Sequence, residues 1–110
     1  MSQSFGPLFQ SDPPTAGFTP TSYANVTASR STGVVYTNTS GKTMFVIVTP
    51  TASATLEGTF NVAGAAVAYI QVTPGSGGGG SPFFVIVPIG ATYEVIAVSN
   101  YNVSTWYELT

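Results

Sequence analysis

Hydrophobic and polar positions alternate along most of the chain with a period of two. Leu56, Gly58, Phe60 and Val62 alternate with Thr55, Glu57, Thr59 and Asn61, as in a strand with one face in a core and the other in water. Gly33–Thr37, Lys42–Thr49, Val67–Thr73, Thr92–Val98 and Val103–Leu109 are rich in β-branched and aromatic residues. Turn or breaker signals separate them, at Ser40-Gly41, Pro50, Ala63-Gly64, Pro74, Pro88-Ile89-Gly90 and Ser99-Asn100. Phe83–Val87 is almost continuously apolar, which predicts a central strand buried on both faces. No stretch carries apolar residues at helical spacing over helical length. About seven or eight short strands at regular intervals predict an all-β domain, an antiparallel sandwich of jelly-roll type.

Two segments fall outside that pattern. Residues 1–22 hold Pro7, Pro13, Pro14 and Pro20 with Gly6 and Gly17. Prolines at this density exclude a helix and remove ladder donors. The segment reads as an extended attachment arm, with Phe5, Leu8, Phe9 and Phe18 as isolated apolar anchors for a partner. Residues 23–110 form the predicted β domain. Within it, Gly75–Ser81 (GSGGGGS) is a flexible low-complexity stretch. It reads as a natural loop joining two strands rather than an engineered linker, because neither half of the chain could bury a core alone.

Composition narrows the chemistry. The 110 residues suit one domain. Charged residues are 5% of the chain, against about a quarter in typical soluble domains. Twelve Ser and sixteen Thr take their place, and a surface of hydroxyls and amides tends to associate. No Cys and no His are present, so disulfides, Cys or His metal sites and a Ser-His-Asp triad are excluded. Two basic residues, Arg30 and Lys42, cannot neutralise a phosphate backbone, so no nucleic acid is expected as partner. The N-terminus lacks the basic and apolar regions of a signal peptide. The longest apolar-rich stretch, Val62–Val72, is too short to cross a membrane as a helix.

The remaining candidates are few. Glu57, Glu94 and Glu108 could in principle form a hydrolytic pair, but each occupies a polar position in an alternating strand and is expected to face solvent. Asn25-Val26-Thr27, Asn38-Thr39-Ser40 and Asn102-Val103-Ser104 match the glycosylation acceptor pattern, as chance allows in a chain so rich in Asn, Ser and Thr. Neither catalytic, cofactor nor metal residues are assigned, and no enzyme is expected. Trp106 and Tyr107, as neighbours in a strand, point to opposite faces. With Tyr101 they are candidates for a subunit or ligand interface, where Tyr and Trp are favoured.

Three segments carry a resemblance. Ala24-Asn25-Val26-Thr27-Ala28-Ser29-Arg30 followed by Gly33-Val34-Val35-Tyr36-Thr37-Asn38-Thr39-Ser40-Gly41-Lys42, Phe84 to Tyr93 (FVIVPIGATY), and Ser104-Thr105-Trp106-Tyr107-Glu108-Leu109 resemble, in order, the motifs of a β-sandwich module common in the fibre proteins of tailed bacteriophages. Thr43-Met44 stands where that family often has Pro-Ile. The resemblance covers about Ala24 to Thr110 and implies a small antiparallel sandwich, usually trimeric, on a virion appendage. Its motifs read as fold determinants.

A fibre places this module after a long shaft. Here only the Pro-rich arm precedes it, with no heptads and no collagen-like repeat. The expectation is therefore a virion surface protein, a capsid decoration (cement) or head-fibre protein. It would be homotrimeric and bound to other virion proteins, such as the major capsid protein, through its arm. The alternative is a tail-fibre or short tail appendage module that docks on tail proteins or binds host-surface glycan.

Overall fold

The computed structural model describes residues 20–51, 55–72 and 82–110. The arm anchors Phe5, Leu8, Phe9 and Phe18, and the Gly-rich stretch 75–81, lie outside the described residues. Eight strands occur among the described residues: β1 (Tyr23–Asn25), β2 (Tyr36–Thr37), β3 (Met44–Pro50), β4 (Leu56–Val62), β5 (Ala65–Val72), β6 (Phe83–Val87), β7 (Thr92–Ser99) and β8 (Val103–Leu109). One 3-10 turn, Thr27–Ser29, follows β1. The strands form two four-stranded antiparallel sheets, in the orders β1-β8-β3-β6 and β2-β7-β4-β5. The chain is an all-β antiparallel sandwich, as its periodicity predicts.

The core lies between the sheets. Met44, Val46 and Val48 of β3, Phe83, Val85 and Val87 of β6, and Trp106 of β8 come from one side. Leu56 and Phe60 of β4 with Tyr93 and Val95 of β7 come from the other. Each inward residue is followed by an outward one, so strict alternation along β3 and β6 sets which side chains are covered. Full burial of each large apolar side chain contributes roughly 1.5–3 kcal/mol. Phe60 stacks on Tyr93 and meets Phe83 edge-on, which ties the two sheets together at mid-height.

Turn chemistry sets the strand ends. β4 and β5 join through Ala63-Gly64, both at positive φ (52° and 83°), the primed two-residue turn that suits a twisted hairpin. Gly90 (φ 76°) serves the turn between β6 and β7, where the Ala91 N–H donates to the Pro88 carbonyl. Pro50 ends β3 at a register shift against β8, a place where its missing N–H disturbs little of the ladder.

Two expectations need correction. The predicted strand Gly33–Thr37 shrinks to Tyr36–Thr37, because Gly33 turns at φ 76° and Val34 and Val35 stay exposed. Phe83–Val87 is a strand, but not a central one. Among the described residues β6 pairs only with β3 and lies last in its sheet's order. Its outward residues Phe84 and Ile86 are 61% and 54% exposed. A run apolar on both faces has two explanations, a doubly covered strand or an edge with an apolar outer side, and this is the second.

Candidate functional site

At one end of the sandwich the core turns polar. The Thr27–Ser29 turn fixes the approach of the chain to β8: the Val26 N–H donates to the Trp106 carbonyl, and the Trp106 N–H donates to Thr27 Oγ1 (both 2.9 Å). Asn25 Oδ1 in turn accepts from the Thr27 N–H and hydroxyl. The turn delivers Arg30 to Glu108, which sits on β8 two residues beyond Trp106 and so faces inward with it. Arg30 Nε and Nη2 donate to the two Glu108 oxygens at 2.9 Å, a bidentate pair. Tyr93 donates its hydroxyl to Glu108 Oε2 (2.7 Å), and Trp106 Nε1 donates to the same oxygen (3.2 Å). The Arg30 guanidinium lies 4.7 Å from the Tyr36 ring centre, a cation–π contact. Hydrogen bonding to Glu108 raises the Arg30 pKa further above its ordinary value. Burial first, and the bond to Glu108 second, push the Tyr93 hydroxyl well above the usual tyrosine range.

Asn38 closes the same end. It is buried, and its Nδ2 donates to the carbonyls of Lys42, Val87 and Pro88 while Oδ1 accepts from the Ser40 N–H and hydroxyl. It thus clamps the β2–β3 loop to the end of β6. Beside it lies a cavity of about 210 Å³ lined in part by Arg30, Thr37, Asn38, Ser40, Tyr93 and Glu108. Of that lining, Arg30 and Tyr93 are bonded to Glu108, and Ser40 to Asn38. Among the described residues no three His, Cys, Asp or Glu side chains come together.

The structure corrects several site expectations. Glu108 does not face solvent: it is 9% exposed and bound by four donated hydrogen bonds. Glu57 and Glu94 occupy β4 and β7 of the other sheet, so the three carboxylates do not assemble. Trp106 is fully buried between the sheets and Tyr101 is 3% exposed. Neither is presented at an interface of the folded chain, since both are consumed by the core. Tyr101 packs on Gly58, where a Cβ would lie 2.6 Å from its ring, and on Phe83. Its hydroxyl is buried without a partner, and burial pushes its pKa well up. The Asn38 carboxamide is fully engaged inside the fold, which removes that glycosylation pattern from the surface.

Tyr107 does lie on the outer side, and sequence reasoning missed most of what surrounds it. Pairing places Tyr23, Leu109, Phe45 and Ile86 in one row across the outer face of the β1-β8-β3-β6 sheet. Asn25, Tyr107, Ile47 and Phe84 form the next row. Thr105 and Thr49 begin a third. Tyr23 stacks obliquely on Tyr107, and Phe45 on Phe84. No charged side chain occurs in these rows. The signal was present in KTMFVIVT and FFVIV, both apolar at odd and even positions.

The other sheet presents a mixed outer side, on which Val67, Tyr69 and Val98 are exposed beside polar residues. Glu57 lies opposite Gln71, Thr59 opposite both Tyr69 and Ile96, and Asn61 opposite Glu94. Exposed Tyr69 donates its hydroxyl to Glu57. That bond raises the Tyr69 pKa.

Comparison with protein-family models, with curated proteins and with solved structures gives no match.

Proposed function

We propose that the chain is a structural protein of a bacteriophage virion, a capsid decoration or head-fibre protein that attaches through its N-terminal arm and assembles as a homotrimer on the virion surface. The observation that carries this reading is the fate of the three resembling segments. Arg30, Tyr36 and Asn38 of the first, Tyr93 of the second, and Trp106 and Glu108 of the third meet at one end of the core. They bind one another and leave no open reactive group, which supports a role in assembly rather than catalysis. A protein that binds only the mature lattice stabilises that lattice by mass action, and several weak arm contacts multiply when copies are joined.

Immunogold electron microscopy of whole virions with an antibody to this domain tests the reading. Label spread over the heads is the expected result. Virions without label overturn it.

The second reading, a tail module that binds host glycan, is favoured by one observation. Tyr69 is an exposed ring whose hydroxyl is held by a neighbouring carboxylate, an arrangement suited to stacking a sugar. Label confined to the tail selects this reading, with loss of glycan binding in Tyr69→Ala as its own check.

A further inference from the structure

We infer that the cavity beside the Arg30–Glu108 pair is a binding site for one ring of a neutral saccharide, free or at the end of a glycan. This goes beyond the reading above and does not depend on it. The site is also a different place from Tyr69, which lies on β5, at the other end of its sheet's order from β2.

Shape comes first. β1 and β2 stand last in their sheets' orders and hold only three and two residues. The cavity of about 210 Å³ lies between these short edges. Ser22, Glu108 and Thr110 line it from β1 and β8, and Thr37 and Thr39 from β2 and the residues after it. Ser22, Thr37 and Thr39 are exposed, whereas Glu108 is buried, so a charged floor lies under an open rim of hydroxyls. Sites for drug-sized ligands run to roughly 300–1,000 Å³. This one holds a single small ring.

Unused hydrogen-bonding capacity comes second. Glu108 Oε2 accepts from Arg30, Tyr93 and Trp106 and has nothing to spare. Oε1 accepts only from Arg30 Nη2, and a carboxylate oxygen has two lone pairs. Of the five guanidinium N–H groups, three are engaged, with Glu108 and the Ser29 carbonyl. Two are left. Among the described residues the hydroxyls of Thr37 and Thr39 have no partner, and those of Ser22 and Thr110 have only each other, at 3.3 Å.

Charge then selects the ligand class. Arg30 and Glu108 cancel. An anion or a cation gains little here unless it parts a pair whose loss would leave a charge uncompensated. A hydroxyl both donates and accepts, so neighbouring hydroxyls on one ring match an acceptor at Oε1 beside a guanidinium donor. Tyr93 is 2% exposed, so the cavity offers hydroxyl contacts rather than a stacking surface.

The test is NMR of the full-length, isotope-labelled chain titrated with methyl glycosides of glucose, galactose, mannose and N-acetylglucosamine. Each is taken to about 50 mM, because so small a ligand binds weakly. The Trp106 indole N–H is the chain's single tryptophan signal and donates to Glu108, so it reports on the floor. At least one glycoside is expected to move that signal and the amides of Thr37 and Thr39 saturably, with the Tyr69 amide unmoved. Thr37→Val with Thr39→Val is expected to weaken binding at least about fivefold through two lost hydrogen bonds, while Tyr69→Ala leaves it unchanged. Should the double variant fail to fold, Ser22→Ala is read instead, with a loss of at least about twofold. Methyl glucuronide, a charged ring, is expected to bind more weakly than the best neutral glycoside. A disaccharide ending in the preferred ring separates the sources: its binding marks a glycan end and its exclusion marks a free sugar, and either supports the site. Absence of any shift with the neutral glycosides overturns the proposal. So do shifts confined to Tyr69 and its neighbours, undiminished binding by the variants, or tighter binding of the glucuronide.

Discussion

The two ends of the core each bury a tyrosine, and they treat it differently. Tyr93, near β2, gives its hydroxyl to Glu108 within a network that includes Arg30, Trp106 and the Thr27–Ser29 turn. Tyr101, at the far end before β8, is wedged against Gly58 and Phe83 with its hydroxyl unpaired. The first end is specified by polar chemistry that tolerates few substitutes. The second is specified by shape alone. A buried polar network fixes one arrangement only when every member is satisfied, and the Tyr93 end meets that condition.

Breaking the network has the largest expected effect. Glu108→Gln leaves Arg30 half-buried without its anion, and should cost about 3–5 kcal/mol, as loss of one partner from a buried ion pair does. Denaturant titration checks this. If the cost stays below 1 kcal/mol, the polar end does not organise the fold.

Alkali probes both ends together. The folded pKa values of Tyr93 and Tyr101 are raised above the ordinary value of 10.0. The folded state then keeps protons that the unfolded state releases. The stability they contribute is complete below about pH 10 and falls above it, by about 1.4 kcal/mol per pH unit for each group. Unfolding titrations between pH 9 and 11, with Tyr93→Phe and Tyr101→Phe each expected to remove one share of the slope, check the sign.

Gly58→Ala sharpens the contrast from the other side. The added methyl meets the Tyr101 ring at 2.6 Å, and overpacking of this kind costs about 1–3 kcal/mol. The same change in a Tyr101→Leu background should cost less, since the ring is gone. Additive costs would show that the contact is not the cause.

The smallest effect, that of Tyr101→Phe, separates the two tyrosines most cleanly when set beside Tyr93→Phe. Tyr93→Phe removes a hydrogen bond to a charged group and should cost about 1.5–3 kcal/mol. Tyr101→Phe removes a hydroxyl that was buried unpaired, and should be neutral or stabilising by up to about 1 kcal/mol. Thermal melts of the two variants side by side give the answer.

The strands were legible in the sequence because period-two alternation and turn residues act locally. Val103–Leu109 has the same bounds in both, and Ala63-Gly64 is the turn its residues suggest. The inward position of Glu108 was also legible in principle. Trp106 is the largest apolar residue of β8, and a residue two positions on must share its face. A carboxylate was taken for solvent because its partner, Arg30, lies 78 residues away in the chain. The edge position of β6 was not legible, because strand order depends on long-range pairing that an apolar run does not encode. The apolar outer face was hidden for the same reason. Its rows come from four strands far apart in sequence, and each alone looks like ordinary core.

The chain has a single tryptophan, and its indole N–H donates to the carboxylate at the centre of the polar end. Its fluorescence therefore reports on one place only. A sealed indole emits toward the blue, and water reaching it shifts the emission red. If the sandwich opens first near β1 and the Thr27–Ser29 turn, the colour changes before the strands are lost to circular dichroism. If it opens first around Tyr101, the strands begin to go while the light stays blue. One intrinsic lamp, with no added label, thus times the failure of one end of the molecule against the other.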